Sequence, residues 1–248
     1  MFAPRVALAS LSGRSDAAWA RAAEGHVGCA FLGGIALDPE TRAAAREMTD
    51  RDRQEFLPPD PLAFVDSQLG ALSGTEIRPA INVRAANTKP IRAVAAVCEG
   101  YGAICEINAH CRQDEMCAAG AGESLLRDGD RLAEQVRAAS ETGAAVSVKV
   151  RAEVPGVVLV DLSRQIERAG GAAIHVDAMD SEDVIRDVSD ACDLFVIANN
   201  GVRDGESTEE YLTFGADAVS VARASDDPAV LREVRGTTDR WFEREVTA

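Results

Sequence analysis

Short apolar runs alternate with longer Ala-, Glu- and Arg-rich stretches along the whole chain. Helical patterns separate most of these runs, for example at Asp130–Thr142 and Val157–Ala169. Strand–helix alternation is typical of parallel strands joined by crossovers, so the pattern favours an α/β fold. It predicts eight strands, at Val6–Ser10, Val27–Leu32, Arg78–Val83, Ala103–Asn108, Ala145–Val150, Ala172–Val176, Asp193–Ala198 and Asp217–Ala222.

Eight such units in 248 residues predict one (β/α)8 TIM barrel over residues 1–248, because this fold needs about 250 residues. The crossover Ala36–Glu76 is less regular, since Pro58, Pro59 and Pro61 interrupt it. We expect a helix, a proline-broken loop and a second helix there. An open doubly wound sheet is the alternative architecture. The first strand lacks a following G-x-G-x-x-G turn, which disfavours a dinucleotide-binding sheet.

Polar residues stand at the carboxyl ends of six successive predicted strands. A parallel barrel carries its active site at this end, and we therefore expect a pocket there. Where two polar residues lie two positions apart on one strand, both side chains share a face. The residues are Asn82, Glu106 with Asn108, Lys149 with Arg151, His175 with Asp177, Asn199 with Asn200 and Gly201, and Arg223.

Two turns suit a phosphate group. Asn200–Gly201 follows the seventh strand and Ala222–Arg223 ends the eighth, where TIM barrels commonly bind phosphate. Backbone N–H groups and the Arg223 guanidinium would supply the hydrogen bonds. Asn–Gly is also an ordinary turn dipeptide, so its place in the fold carries the interpretation.

Charge and hydropathy restrict the function classes. The chain has 41 acidic and 26 basic residues, a formal charge of −15, which disfavours a general nucleic-acid binder. No apolar run reaches the roughly 18–20 residues that span a bilayer. Residues 1–13 lack the features of a secretory signal. We expect a cytoplasmic protein with no membrane partner.

Six cysteines in a reducing compartment are not expected to form a disulfide framework. Four of them, Cys98, Cys105, Cys111 and Cys117, lack the C-x2-C spacing of a zinc or iron–sulfur site. Cys105 should also point away from the barrel interior if Asn108 points into it. We therefore expect no metal.

The segment Glu106–Asp128 reads EINAHCRQDEMCAAGAGESLLRD. It resembles the tRNA-dihydrouridine synthases, flavin-dependent TIM barrels whose motif here is D-I-N-x-G-C-P, a spacer, and G-x-G-x-x-L-L-R-D. The spacing matches without a gap. The resemblance continues through Val148–Arg151, His175, Ala198–Gly201 and Gly215–Arg223.

This resemblance implies bound FMN and reduction of a uracil-type C=C bond. It places Cys111 at the catalytic cysteine that protonates the ring and Asn108 at a substrate-contacting asparagine. Arg151, on the same strand face as Lys149, is a second candidate for substrate contact. The implied flavin contacts are Asn82 and Lys149 with His175, and the implied phosphate contacts are Asn200, Gly201, Ala222 and Arg223.

Several positions depart from the family pattern. The Gly-Cys-Pro triplet reads His110-Cys111-Arg112, which adds charge beside the thiol and a partner for an anionic substrate. Asn82 replaces a flavin-contacting glutamine, and Asp177 stands where the His-x-Arg motif has arginine. The family's Ala-Pro-Met start reads Ala9-Ser10-Leu11, at the expected flavin-stacking position.

Three functions follow as expectations. The first is a flavin-dependent oxidoreductase that reduces uridine in tRNA with a Cys111 proton donor. The second is an FMN oxidoreductase of a small pyrimidine-like substrate, similar to the dihydroorotate dehydrogenases. The third is a barrel that has lost flavin and acts as a binding protein. Asp226–Ala248 is long enough only for a closing helix, whereas the family carries a helical tRNA-gripping domain, so we expect tRNA to be disfavoured.

Overall fold

Eight parallel strands close into a barrel in the computed structural model, which describes residues 1–178 and 180–247. Each strand pairs with its neighbours in sequence, and the last pairs with the first. The predicted (β/α)8 TIM barrel is confirmed, and the open sheet is excluded. The strands are β1 Val6–Leu8, β2 Cys29–Ala36, β3 Arg78–Arg84, β4 Ile104–Asn108, β5 Ala145–Arg151, β6 Ala173–Asp177, β7 Phe195–Asn199 and β8 Ala218–Val221.

Helices cover the outside of the barrel. None in the described part of the chain is long and apolar enough to cross a membrane. Two 3₁₀ helices, Gly122–Arg127 and Arg223–Asp226, lie in the loops after β4 and β8. The α-helices are α1 Ala17–Ala22, α2 Pro39–Thr49, α3 Pro61–Gly70, α4 Thr88–Gly100, α5 Asp114–Ala118, α6 Gly129–Ser140, α7 Leu159–Arg168, α8 Val184–Ser189, α9 Gly205–Thr213 and α10 Pro228–Thr247.

The prolines of the irregular crossover act as predicted, and one of them also starts a helix. Two helices, α2 and α3, flank a loop that contains Pro58 and Pro59. Pro61 is the first residue of α3, where a missing N–H costs nothing. Asp60 caps this helix, since its Oδ1 accepts from the amides of Leu62 and Ala63 at 3.0 and 3.1 Å.

Strand β2 runs four residues beyond its predicted end at Leu32. Gly33 and Gly34 have positive φ values of 90° and 73°, and the register with β3 shifts between Gly33 and Ile35. A Cβ at Gly33 would stand 2.9 Å from the carbonyl oxygen of Asn82. Glycine at this bulge therefore lets pairing resume, although glycine often marks the end of a strand.

Two apolar layers lie on the two sides of the barrel wall. The larger lies between barrel and helices and includes Cys105, which confirms that this side chain points outward. The smaller fills the lower barrel interior, with Phe31 and Ile104 among small residues such as Ala80 and Ala218. Polar side chains begin one level higher inside the barrel, towards the carboxyl ends of the strands.

Candidate active site at the barrel mouth

A fully buried carboxylate organises the upper barrel interior. Glu106 Oε1 accepts from Asn82 Nδ2 at 2.7 Å, and Oε2 lies 2.8 Å from His175 Nδ1 and 3.3 Å from Ser147 Oγ. All four side chains come from adjacent strands β3 to β6 and are buried. Since alternate residues of each strand face inward, four separate strands supply one connected network.

The charges of this network favour one tautomer of His175. Burial alone would raise the pKa of Glu106. Attraction to His175 and Lys149 has the larger effect and brings this pKa below its usual range. Burial lowers the pKa of His175 despite the nearby Glu106. An ionised Glu106 and a neutral His175 require Nδ1–H to donate to the carboxylate. The other nitrogen, Nε2, lies 2.8 Å from Ser220 Oγ, whose hydroxyl also lies 2.8 Å from Asn199 Oδ1.

Asn108 connects this network to the cysteine loop. Its Nδ2 donates to Asn82 Oδ1 at 2.9 Å. Its Oδ1 accepts from the amides of His110 at 3.1 Å and Cys111 at 2.9 Å. The Cys111 carbonyl accepts from the Glu123 amide at 2.8 Å. The backbone of Cys111 is thus held from both sides.

The cysteine side chain is almost enclosed. Cys111 is 9% exposed and packs in an apolar cluster with Met48 and Met116. It also lines a cavity of about 460 Å³ together with Asn108, Lys149 and Arg223. The thiol therefore lies between a dry layer and the open mouth of the barrel.

Two neighbouring cavities extend the mouth towards β7 and β8. One of about 400 Å³ is lined by Arg151, Asp177, Asn200 and Arg223. The other, of about 420 Å³, is lined by Asn200, Gly201, Ala222 and Arg223. Arg223 borders all three cavities, so they form one mouth with volumes typical of small-molecule sites.

Lys149 is a buried cation at this mouth. The residue is 4% exposed, and its ammonium group forms no hydrogen bond to any residue that the structure describes. Burial lowers its pKa, against the attraction of Glu106 and Asp177. Because it lines the cavity beside Cys111, Lys149 offers its donors to a ligand.

Asp177 binds the cysteine loop to β6 and β7. Its Oδ2 accepts from His110 Nε2, and its Oδ1 accepts from Asn200 Nδ2 at 2.8 Å. Burial raises the pKa of Asp177, but the hydrogen bond from His110 and the pull of Asn200 and Lys149 lower it below its usual range. An ionised acid thus ties two loops together where the family pattern has arginine.

The predicted site residues divide into two levels. Cys111, Lys149, Arg151, Asn108, Asn200, Gly201, Ala222 and Arg223 all line the mouth cavities. Asn82 and His175 lie beneath them, fully buried, with their polar atoms engaged by the chain itself. Arg151 Nη1 also pairs with Glu123 at 2.8 Å. Which of them contact a ligand stays a prediction.

Sequence reasoning missed a buried ion pair beside the cavity. Arg84 Nη1 lies 2.7 Å from Glu55 Oε2, and Nη2 donates to Ser12 Oγ at 2.5 Å. The side chains of Arg84 and Glu55 are 3% and 1% exposed. Arg84 stands two positions after Asn82 on the same strand face, which was a usable signal. Glu55 lies in an irregular loop and gave none.

Among the described residues, no group of three or more His, Cys, Asp or Glu side chains is placed to hold a metal ion. The titratable groups near the mouth are instead paired with one another or directed at the cavities.

Comparisons with known proteins agree with the barrel and its motifs. A family model described as dihydrouridine synthase (Dus) matches residues 80–247. An uncharacterized protein of Methanocaldococcus jannaschii is 26% identical over 231 residues, which cover 88% of each chain.

Solved structures show the same fold at lower identity. FabK from Thermotoga maritima aligns with a TM-score of 0.58 and 15% identity, over 89% of this chain and 58% of that one. The tryptophan synthase complex from Pyrococcus furiosus contains a chain that aligns with a TM-score of 0.60 and 14% identity over the full length of both.

Proposed function

The chain belongs to the dihydrouridine synthase family, and from this premise we propose that it is an FMN-dependent oxidoreductase that reduces a uracil-type C=C bond. The observation that carries the proposal is one cavity of about 460 Å³ lined by Cys111, Lys149 and Arg223 together. These are the residues that the family motif assigns to proton transfer, flavin ring and flavin phosphate. They come from three distant parts of the chain.

The residues at the β7 and β8 ends fit a flavin phosphate. The Arg223 guanidinium forms no ion pair with a described residue, and the first amides of the 3₁₀ helix Arg223–Asp226 have no acceptor within their helix. Among the described residues other than its two chain neighbours, none lies within 4 Å of the place a Cβ on Gly201 would occupy. A phosphate there would receive both N–H donors and a guanidinium.

The buried ammonium of Lys149 supports a flavin ring beside it. A cation without a hydrogen-bond partner is unfavourable in a closed site unless a ligand supplies an acceptor. Positive charge near a flavin ring stabilises its reduced, anionic form. Asn82 and His175 would act from beneath, by holding Asn108 and Glu106 in place.

Bound FMN would supply a hydride to one carbon of the substrate double bond. The protein must then deliver a proton to the neighbouring carbon, and the Cys111 thiol, at the position of the family's catalytic cysteine, lines the cavity as the proposed donor. Asn108 and Glu123 hold the Cys111 backbone, so the thiol needs no loop movement to face a ring in the cavity. Apolar neighbours on its other side limit exchange with water.

Flavin titration tests the cofactor. We expect purified protein to bind FMN with 1:1 stoichiometry and to show flavin absorbance. Arg223→Gln should lower the affinity for FMN at least about tenfold, since it removes a charge-assisted contact. Arg137→Gln, on the outer helix α6, is the matched control. A protein that takes up no FMN contradicts the proposal.

A second experiment tests the proton donor. Cys111→Ala should leave FMN affinity unchanged and slow substrate reduction by dithionite-reduced enzyme about 10²–10⁴-fold. Cys192→Ala removes a half-buried thiol outside the mouth and serves as the control. Equal turnover of Cys111→Ala and the parent protein would exclude Cys111 from the chemistry.

A further inference from the structure

In one cavity of the mouth, the Arg and Lys side chains have no acidic counterpart among the described lining residues. The space of about 460 Å³ beside Cys111 is bordered by Arg53, Arg84, Arg112, Lys149 and Arg223, and by no Asp or Glu among the described residues. The chain as a whole carries 41 acidic and 26 basic residues. The charge of this cavity lining is therefore opposite in sign to the net charge of the chain.

Most of these cations have no internal counter-charge. Glu55 neutralises Arg84. By contrast, Arg53, Arg112 and Arg223 form no ion pair with any residue in the described ranges, and Arg223 is the one proposed above to hold the flavin phosphate. Arg51, nearby on the surface, is instead paired with Glu115 at 2.7 Å. Arg53 and Arg112 remain, and two unpaired guanidinium groups at one concave space favour a second bound anion.

We propose that this cavity binds the anionic group of a small substrate, a carboxylate or phosphate attached to a pyrimidine ring, through Arg53 and Arg112. The inference rests on the proposed function, because it takes the attached ring to be reduced beside Cys111. Arg112 and Cys111 line the same cavity, so an anion held by Arg112 places its attached ring in the space that the thiol borders. A guanidinium binds either oxyanion through two parallel hydrogen bonds.

The volume and the global charge favour a small anion over a nucleic acid. The mouth cavities, of about 400, 420 and 460 Å³, are each of a size that suits a small-molecule ligand, so the mouth can take FMN and a small anion together. A polyanion would approach a surface whose formal charge is −15, which opposes its binding at every phosphate outside the cavity. A small anion meets only the local cluster of guanidinium groups.

Calorimetric titration of FMN-saturated protein tests this inference with uracil, uracil-6-carboxylate and uridine 5′-monophosphate. We expect at least one of the two anions to bind about tenfold or more tightly than uracil. The affinity for this anion should fall at high salt, whereas the affinity for uracil should not. Arg53→Gln and Arg112→Gln should each lower the affinity for that anion about tenfold and leave the affinity for uracil unchanged. Arg137→Gln on α6 should change neither.

Preference for the carboxylate or the phosphate identifies the anionic group. Equal binding of all three ligands, or anion affinities unchanged in both variants, overturns the inference. So does a loss of FMN affinity in Arg53→Gln and Arg112→Gln, which would assign the cavity to the flavin phosphate. Tight binding of an unmodified tRNA transcript without preference for the small anions would replace the proposal with a polyanion site.

The same titrations apply to protein that binds no FMN. In that case the proposed function fails, whereas discrimination between uracil and its charged analogues still decides the anion site. Conversely, normal FMN binding with no preference for the anions overturns the anion site and leaves the proposed function standing.

Discussion

Asn108 Oδ1 accepts a hydrogen bond from the backbone amide of Cys111 at 2.9 Å, and this contact joins the end of β4 to the cysteine loop. The same oxygen accepts from His110, while Nδ2 donates inward to Asn82. One amide side chain therefore connects the buried Glu106 network to the loop that carries the thiol.

Replacing Asn108 with Ala should loosen the cysteine loop. The change leaves the amides of His110 and Cys111 and the oxygen of Asn82 without partners, which costs about 1–3 kcal/mol of unfolding free energy. We also expect faster alkylation of Cys111, measured by mass spectrometry of its peptide. Asn108→Asp keeps the acceptor oxygen and should retain slow alkylation. Equal alkylation rates in both variants would contradict this role of Asn108.

A second prediction concerns the glycine beneath the cysteine carbonyl. Gly122 has a φ of 60°, and a Cβ there would stand 2.2 Å from the Cys111 oxygen. Gly122→Ala should therefore cost about 3 kcal/mol or more, because the loop must move. Gly102 has a similar φ of 61° but open space around it. Gly102→Ala therefore measures only the cost of a left-handed backbone, about 1–2 kcal/mol. Chemical denaturation measures both, and equal losses would contradict the steric argument.

The barrel was predictable from sequence because its signal is periodic and repeated. Each apolar run is short, and the polar residue at its end marks the mouth, as at Asn108 and Lys149. Strand β2 was predicted too short because only the tertiary contact of Gly33 with Asn82 explains why pairing continues.

The side-chain network was less predictable, since it depends on contacts between distant strands. Glu106 and His175 are 69 positions apart, and Arg84 meets Glu55 across a loop without periodicity. The sequence could identify residues at the strand ends but not their depth. Asn82 and His175 consequently lie beneath the cavity, while Lys149 lines it.

Stability should fall as the pH drops below about 6.5, the ordinary pKa of histidine. Burial lowers the pKa of His175 in the folded protein, so between the two values the unfolded chain binds a proton that the native state does not. The free energy of unfolding then rises with pH across this interval. Urea denaturation between pH 5 and pH 7.5, a range set about the histidine pKa, measures the slope.

His175→Gln should flatten this pH dependence, because glutamine offers a donor to Glu106 and an acceptor to Ser220 without titrating. Some slope should remain, since burial also lowers the pKa of His110 in spite of Asp177. Arg137→Gln, on the outer helix α6, is the control and should keep the parent slope. An undiminished slope in His175→Gln would show that the buried histidine is not its source.

The buried pair beside the cavity gives the last prediction. Glu55→Gln leaves the Arg84 charge enclosed without a counter-ion, and we expect a loss of about 3–5 kcal/mol in unfolding free energy. The exposed pair Arg92–Glu141 provides a matched comparison at 2.6 Å, with side chains 56% and 61% exposed. Glu141→Gln should cost less than about 1 kcal/mol. The double variant Glu55→Leu/Arg84→Met removes both charges and should recover most of the loss, because no unpaired ion remains. Equal losses in Glu55→Gln and Glu141→Gln would mean that solvent reaches Arg84 and that the loop over this side of the mouth opens in solution.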